Sequence, residues 1–507
     1  MSKRKIKRAL ISVYHKDGIK EIGERLYGLG VEILSTGGTY DFLKECGIPV
    51  KAVEEVTSYP SILGGRVKTL HPKIFGGILG RRENECDIRE MAQYEIPEID
   101  LVIVDLYPFE EYLKANAPHE EIIEKIDIGG ISLIRAAAKN YHDTLIVPCK
   151  ELYPRLLDLL TSHKGESSIE QRRWFAGWAF NISSHYDSAI FGYFNQNEDI
   201  ETFKSSLIEH RTLRYGENPH QKAIFFGSKG DIPEQLHGKE ISYNNLLDVE
   251  AAIELISDFE DASVAIIKHN NACGCASRET ICEAWNAALS ADPVSAYGGI
   301  IISNREIDVA TAESMDKIFF EVIIAPAYQQ KALEILSRKK NRIILLNSSD
   351  LRSSRKFRSL LSGVLIQERD DSMETTDSFS IVTNRGASAE EIRDMIFANK
   401  VVKHSKSNAI VLAKDQTLIA SGIGQTSRVD ALKQAIAKAA GFGFQLKGAV
   451  MASDAFFPFA DCVEIANNAG ITAVIQPGGS IRDNDTIEYC NQNNITMVIT
   501  GVRHFKH

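Results

Sequence analysis

The chain has 507 residues, a formal net charge of −10, 44% hydrophobic and 25% charged residues. That balance fits a globular protein of several domains, at about 100–200 residues each. The negative charge argues against nucleic acid as a partner, and no apolar run reaches the roughly 18 residues a membrane span needs. The basic start, Met1 to Arg8, runs into a strand pattern without a signal-type apolar core, so the expected compartment is the cytoplasm.

Arg8 to Tyr14 reads as a strand, and Asp17-Gly18 opens a helix with Ile19, Ile22, Leu26 and Leu29 on one face. Val31 to Leu34 is a second strand, running into Ser35-Thr36-Gly37-Gly38-Thr39 and another helix. Glycines that turn N–H groups inward, hydroxyl donors and a helix N-terminus suit a phosphate. An ordinary tight turn would use the same residues. Leu63 to Pro72 packs Arg66, Lys68, Thr69 and His71 behind Gly64-Gly65, a loop by composition and an anion clamp by chemistry. Leu101 to Phe109 is a buried strand ending at Pro108, and Asp127-Ile128-Gly129-Gly130 precedes a helix, Ile131 to Asn140, with Arg135 and Lys139. Alternating βα units predict a parallel sheet covered on both faces. Residues 167–196 read as helix, with Trp174, Trp178 and Phe180 as packing, and the polar stretch after it places a domain break at 198/199.

Leu213 to Gln221 is a polar turn region. Asp248 is a credible N-cap for a helix that turns Val249, Ile253 and Ile256 inward, with Asn245 just ahead of it. Val264 to Ile267 is a buried strand that ends on Lys268-His269-Asn270-Asn271, a cation beside a group that titrates near neutrality. Val401-Val402-Lys403-His404-Ser405-Lys406-Ser407-Asn408 looks like a second copy 135 residues on, which predicts two similar α/β halves, about 199–370 and 371–507. Glu321 starts another apolar strand. Gly422 to Arg428 lacks a complete GxGxxG or P-loop, so neither NAD nor ATP is indicated. Phe456, Phe457 and Phe459 could stack a flat heterocycle or fill a core. The eight cysteines include no CxxC, and His119-Glu120-Glu121 matches H-x-E without paired cysteines, so no zinc or other metal site is expected.

Ser12-Val13-Tyr14-His15-Lys16, Ser35 to Thr39, Gly64 to Pro72, Leu106-Tyr107-Pro108-Phe109 and Asp127 to Gly130 resemble the IMP cyclohydrolase domain of the bifunctional purine-biosynthesis proteins. Leu213 onward, through Lys268-His269, Asn408 and Arg428 to Arg503-His504-Phe505, resembles the AICAR (phosphoribosyl-aminoimidazole-carboxamide) formyltransferase domain of the same family. The resemblance implies a methylglyoxal-synthase-like α/β domain followed by two cytidine-deaminase-like α/β subdomains, and a homodimer. It implies formyl transfer from 10-formyltetrahydrofolate to AICAR, giving FAICAR, and ring closure of FAICAR to IMP. His269 is then the base, Lys268 stabilises the developing oxyanion or assists the departing folate nitrogen, and Asn408 orients the formyl group. Arg214, Tyr215 and Arg503 hold the nucleotide, Asn245 helps hold it, and Glu321 takes the carboxamide. Tyr297, Gly298 and Arg428 line the site, with Phe456 and Asp461 near the pterin or formyl group. In the cyclohydrolase, Ser35, Thr36, Gly37, Gly38, Arg66, Lys68 and Thr69 bind the phosphate and sugar end, Ser12, Lys16 and Thr39 belong to the same substrate pocket, and Tyr107, Asp127 and Lys139 handle the protons and the oxyanion. A structural potassium ion is a further family expectation. Three residues depart from the family pattern: Ala272 stands where Pro is usual, Tyr297 where Phe is, and Asp105 where Asn is.

Two other classes compete. A non-catalytic nucleotide-binding regulator on the same fold would bind AICAR without consuming formyl-folate, but it has no use for a base. A zinc deaminase would need the cysteines that are missing here.

Overall fold

The computed structural model describes residues 3–197 and 200–507. The chain forms two compact units, Met1–Ile208 and Glu209–His507. The expected break at 198/199 falls outside the described residues.

In the first unit, strands β1 (Arg8–Ser12), β2 (Glu32–Ser35), β3 (Lys51–Ala52), β4 (Leu101–Val104) and β5 (Leu145–Val147) form a parallel sheet in the order β3-β2-β1-β4-β5. Every residue of β4 and β5 is buried, which is why both read as unbroken apolar runs. Helix α1 (Ile19–Gly28) buries Ile19, Ile22 and Leu26, and α2 (Gly37–Glu45) follows β2. Helix α3 (Gly129–Lys139) and the long α4 (Ile169–Phe194) complete what the site needs. Of the three aromatics expected to pack on α4, Trp174 and Trp178 rest against the core, whereas Phe180 is exposed beneath Arg135.

The second unit is built on one twelve-stranded sheet. Its strands are β6 (Glu234–His237), β7 (Ala262–Lys268), β8 (Asn271–Arg278), β9 (Ile300–Ser303), β10 (Val322–Ala325), β11 (Ile343–Leu346), β12 (Ser380–Ile381), β13 (Ile410–Lys414), β14 (Thr417–Gly422), β15 (Val450–Ser453), β16 (Ala473–Gln476) and β17 (Thr496–Ile499). The order is β6-β11-β10-β9-β7-β8-β14-β13-β15-β16-β17-β12. Read outward from the β8–β14 junction, where Ala276 faces Thr417, both halves are hairpin, parallel trio, antiparallel edge. The unit is therefore an internal duplication. Helices α5 (Tyr243–Ile256) and α6 (Ala389–Lys403) precede the two hairpins and bury one shared core on a single face. The other face carries two separate cores, one for each half.

This topology corrects two expectations. Lys403-His404 is not the second copy of Lys268-His269, because it ends helix α6 rather than a strand. The equivalent of Lys268-His269-Asn270-Asn271 is Lys414-Asp415-Gln416-Thr417, which joins β13 to β14. Nor is Asp248 an N-cap. Ser242 caps α5, in a capping box with Asn245, and Ser388 caps α6 with Glu391 at the matching positions. Asn245 thus sits in the first turn of α5 and Asp248 one turn further in.

Candidate functional site

The β7–β8 hairpin closes on two residues, His269 and Asn270, with φ of 51° and 64°. A right-twisted hairpin prefers two left-handed residues at such a turn, but a side chain there is disfavoured by roughly 1–2 kcal/mol per residue. Asp248 offsets that cost. From α5 its Oδ1 accepts the Asn270 N–H at 2.6 Å. Burial raises the Asp248 pKa, while the amides of Asn270 and His269 and the side chains of His269 and Lys268 pull the other way. Lys268 Nζ donates to the Tyr297 carbonyl at 2.5 Å, beside Gly298, whose φ is 71°. The Tyr297 ring packs on Phe319 at 5.2 Å between centroids, and its loop is anchored by buried Asp292, paired with Lys438 at 2.7 Å.

The duplication brings the loop that carries Asn408, far away in sequence, to this turn through Lys406. Each half presents its hairpin turn to the other half: the first turn meets the loop between α6 and β13, and the second meets the end of β8. In one crossing, Lys406 N–H donates to Asn271 Oδ1 at 3.0 Å while Asn271 Nδ2 donates to the His269 carbonyl at 2.8 Å. In the other, Arg278 donates to the Asp415 carbonyl at 2.6 Å. The Asn408 carboxamide is held at both ends: Nδ2 donates to the Gln425 carbonyl and Oδ1 accepts from Arg428 Nη2, each at 3.0 Å. Buried Arg428 also pairs with Asp454 Oδ1 at 2.5 Å, and burial lowers its pKa. The C-terminal segment of the chain joins the same loop, with Ser407 N–H on the Lys506 carbonyl at 2.9 Å and Lys506 N–H on Ser407 Oγ at 3.1 Å.

The other expected groups fall around this centre unevenly. Glu321 is engaged by Lys239 at 2.9 Å. Asn245 spends its Oδ1 on Ser242. Phe457 is core, but Phe456 and Phe459 are exposed, so the aromatic run divides between packing and surface. Asp461 is exposed at the start of a helix whose next two residues, Cys462 and Val463, are buried. Arg214 lies over Tyr215 and Arg503 over Phe505, each cation exposed and with its aromatic partner beside it in sequence.

In the first unit the pocket forms at the C-terminal ends of β1, β2 and β4, where open parallel sheets bind ligands. Gly37 and Gly65 adopt φ of 54° and 90° and make room for Lys68. A Cβ on Gly65 would lie 2.6 Å from Lys68 Cε, and one on Gly37 would lie 3.0 Å from Nζ. Lys16 Nζ donates to the carbonyls of Val13 and Tyr14 and to Thr39 Oγ1 at 3.1 Å, and its burial lowers its pKa. Asp105 accepts the N–H groups of Tyr14 and His15 and also meets His15 Nδ1 at 3.0 Å, so this departure from the family pattern pins the β1 loop. Asp127 caps α3, accepting the Gly130 N–H at 2.6 Å. Burial raises its pKa, and it raises that of Tyr107, chiefly an effect of burial there too. Thr69 is buried beside Gly129, Ser12 is half-buried at the end of β1, Thr36 reaches Glu54 and Arg66 pairs with exposed Glu124. Gly38 has open space where a side chain would be.

Two expected members do not join this pocket. Ser35 is fully buried with Oγ donating to the Ile11 carbonyl at 2.7 Å, so its hydroxyl ties β2 to β1. Lys139 is exposed at the C-terminal end of α3, about 15 Å of helix from the end that Asp127 caps. Several participants were not singled out as site residues: Asp454, Asn271, His15, Asp248 as a clasp, and Lys125, which lies over the rings of Tyr14, Tyr107 and Tyr112. Asn271 and His15 stand within stretches singled out in the sequence and Asp248 reads there as a cap, whereas Lys125 leaves no such trace.

Among the described residues no group of three or more His, Cys, Asp or Glu is arranged to hold a metal, and His119 bonds Tyr193 Oη at 2.7 Å. A potassium ion asks for oxygen donors instead. Asp454 Oδ2, buried and without a hydrogen-bond partner, is a donor of that kind.

A strained Lys-His turn facing an oriented carboxamide in one unit, and a glycine-cradled lysine beside a capped carboxyl in the other, define a two-site α/β enzyme. A family model described as the AICARFT/IMPCHase bienzyme matches residues 137–438, and one described as the MGS-like domain matches residues 18–132. The chain is 62% identical over 504 residues to the bifunctional purine biosynthesis protein PurH of Bacteroides thetaiotaomicron, covering 99% of each. It is 47% identical to PurH of Acetivibrio thermocellus and 46% identical to that of Aquifex aeolicus, in both cases over 99% of this chain and 100% of the relative. The chain belongs to the AICARFT/IMPCHase bienzyme family.

Proposed function

We propose that the second unit transfers the formyl group of 10-formyltetrahydrofolate to the 5-amino group of AICAR, and that the first unit closes the product, FAICAR, to IMP. These are the last two steps of purine biosynthesis. The observation that carries this reading is the His269 turn, held beside Lys268 and facing the Asn408 loop. The AICAR nitrogen attacks the formyl carbon and His269 takes the proton that nitrogen must lose. Lys268 supplies positive charge where the carbonyl oxygen becomes an oxyanion. The bond to N10 of the folate then breaks, N10 gains a proton, and tetrahydrofolate leaves. Asn408, fixed by Arg428 and Gln425, orients the formyl group. Exposed Arg214 and Arg503 and half-buried Tyr215 are assigned to the nucleotide, and Phe456 to the pterin.

In the first unit the carboxamide nitrogen of FAICAR attacks its own formyl carbon and water is lost. The reacting atoms share one molecule, so orientation supplies much of the rate. Lys68, Thr69, Gly37 and Gly38 hold the phosphate end, and Asp127 with Tyr107 moves the protons. A potassium ion at Asp454 would neutralise the free carboxylate oxygen behind Arg428 and stiffen the Asn408 support. A homodimer in the cytoplasm is the expected form. The exposed apolar side chains of the hairpin 355–368, among them Leu361 and Leu365, support a second copy as partner. The test is incubation with AICAR and 10-formyltetrahydrofolate, following tetrahydrofolate release and IMP together. AICAR binding without folate turnover would favour a regulator instead.

A further inference from the structure

The two halves of the second unit share one device. In the second half, Asp394 of α6 accepts the N–H groups of Asp415 and Gln416 at 2.9 and 2.6 Å, and those residues have φ of 50° and 46°. In the first half, Asp248 of α5 accepts the Asn270 N–H of a turn with φ of 51° and 64°. Asp248 and Asp394 hold the same position relative to their helix caps, Ser242 and Ser388. The fold thus uses a helix carboxylate to hold a left-handed hairpin turn made of residues with side chains. Only the first copy carries an imidazole on that turn.

We propose that Asp248 is a positioning residue for formyl transfer, acting through the His269–Asn270 turn rather than on substrate. This rests on the reading of His269 as the base. Without the carboxylate, two left-handed residues lose their main compensation, and the turn relaxes towards conformations that re-aim the imidazole. Misplacing a reacting group by about 1 Å costs on the order of 100-fold in rate. Asp394 faces the same strain with no catalytic passenger, so it is a control within the same molecule.

The experiment uses the full-length protein and measures formyl transfer and FAICAR cyclisation separately. Asp248→Ala is expected to lower kcat for formyl transfer by about 10- to 100-fold with little change in KM for AICAR, and to leave cyclisation untouched. Asp248→Asn keeps an acceptor oxygen and should retain most of kcat. Asp394→Ala should lower the unfolding temperature yet leave formyl transfer within about twofold. In a His269→Ala background, adding Asp248→Ala should cost nothing further. If Asp248→Ala folds poorly, Asp248→Ala/Asn270→Gly is used instead, since glycine adopts the positive φ freely and should regain part of kcat. Equal loss of formyl transfer in Asp394→Ala and Asp248→Ala would overturn the proposal, as would a full further loss in the His269→Ala background or no regain with glycine. Wild-type turnover in His269→Ala would instead remove the base, and this inference with it. Loss in His269→Ala beside wild-type turnover in Asp248→Ala would overturn the positioning role alone.

Discussion

Raising the pH from 6 to 10 should weaken the second unit by about 3 kcal/mol through one side chain, His504. Its imidazole is 2% exposed, with Nδ1 2.6 Å from Asp370 Oδ2 and Nε2 2.9 Å from Glu374 Oε1. Two carboxylates on two ring nitrogens require both nitrogens to donate, so the ring is an imidazolium. Burial alone would depress its pKa, but the hydrogen bonds to Asp370 and Glu374 outweigh that and hold it at about 9. Against an ordinary 6.5, that corresponds to about 3 kcal/mol. The folded-state value is the raised one. The contribution is therefore complete below about pH 6.5 and is lost as pH rises through about 9. Lys403 is the cation nearby, bonding the Ser372 carbonyl and Asp258. The assay is denaturant unfolding of wild type and His504→Asn in a Trp174→Phe/Trp178→Phe background. Of the three tryptophans this leaves Trp285, which is fully buried in the second unit. The gap in unfolding free energy should be about 3 kcal/mol at pH 6 and close to zero at pH 10, at constant denaturant slope. A gap that stays the same across that range would refute the buried ion triad.

Gly65→Ala should displace Lys68, because the new methyl would meet its Cε at 2.6 Å at a φ of 90°. Cyclisation should fall at least tenfold with formyl transfer unchanged, read from the two half-reactions. Arg428→Met should cost about 3–5 kcal/mol by leaving Asp454 a buried charge without its cation, and should slow formyl transfer by freeing Asn408. Adding Asp454→Asn should recover stability but not rate, in the Trp285 unfolding assay and in turnover. Asp105→Asn removes one acceptor from the Tyr14–His15 loop and should cost about 1 kcal/mol in first-unit stability, read by Trp174 and Trp178 fluorescence.

Legibility in the sequence followed the range of the interactions. Local signals were strong: Ile19, Ile22 and Leu26 at helical spacing, and Val264 to Ile267 as an apolar run ending on polar residues. Gly64-Gly65 was readable as a loop beside Lys68, but not that Gly65, together with Gly37 from another loop, stands aside for that lysine's side chain. Longer-range facts misled. Lys403-His404 matched Lys268-His269 in letters and not in place, because similarity of side chains says nothing about which residues turn a hairpin. The true counterpart, Lys414-Asp415-Gln416-Thr417, shares almost no letters with it and only the backbone shape, which no side-chain pattern displays. Asp248 looked like a cap because Asp favours that position, yet Ser242 with Asn245 competes for the same helix end. Lys139 was placed by resemblance in a pocket from which the length of α3 separates it. The clasp, the crossing of loops between halves and the β8–β14 junction all join residues more than twenty positions apart, where sequence spacing carries no geometry.

The most direct measurement crosses two variants with two substrates. His269→Ala should make IMP from supplied FAICAR at the wild-type rate, and from AICAR with 10-formyltetrahydrofolate at a rate about 100- to 10,000-fold lower. Lys68→Ala should release tetrahydrofolate normally and accumulate FAICAR. If either folded variant lost both half-reactions together, the two chemistries would not reside in separate sites.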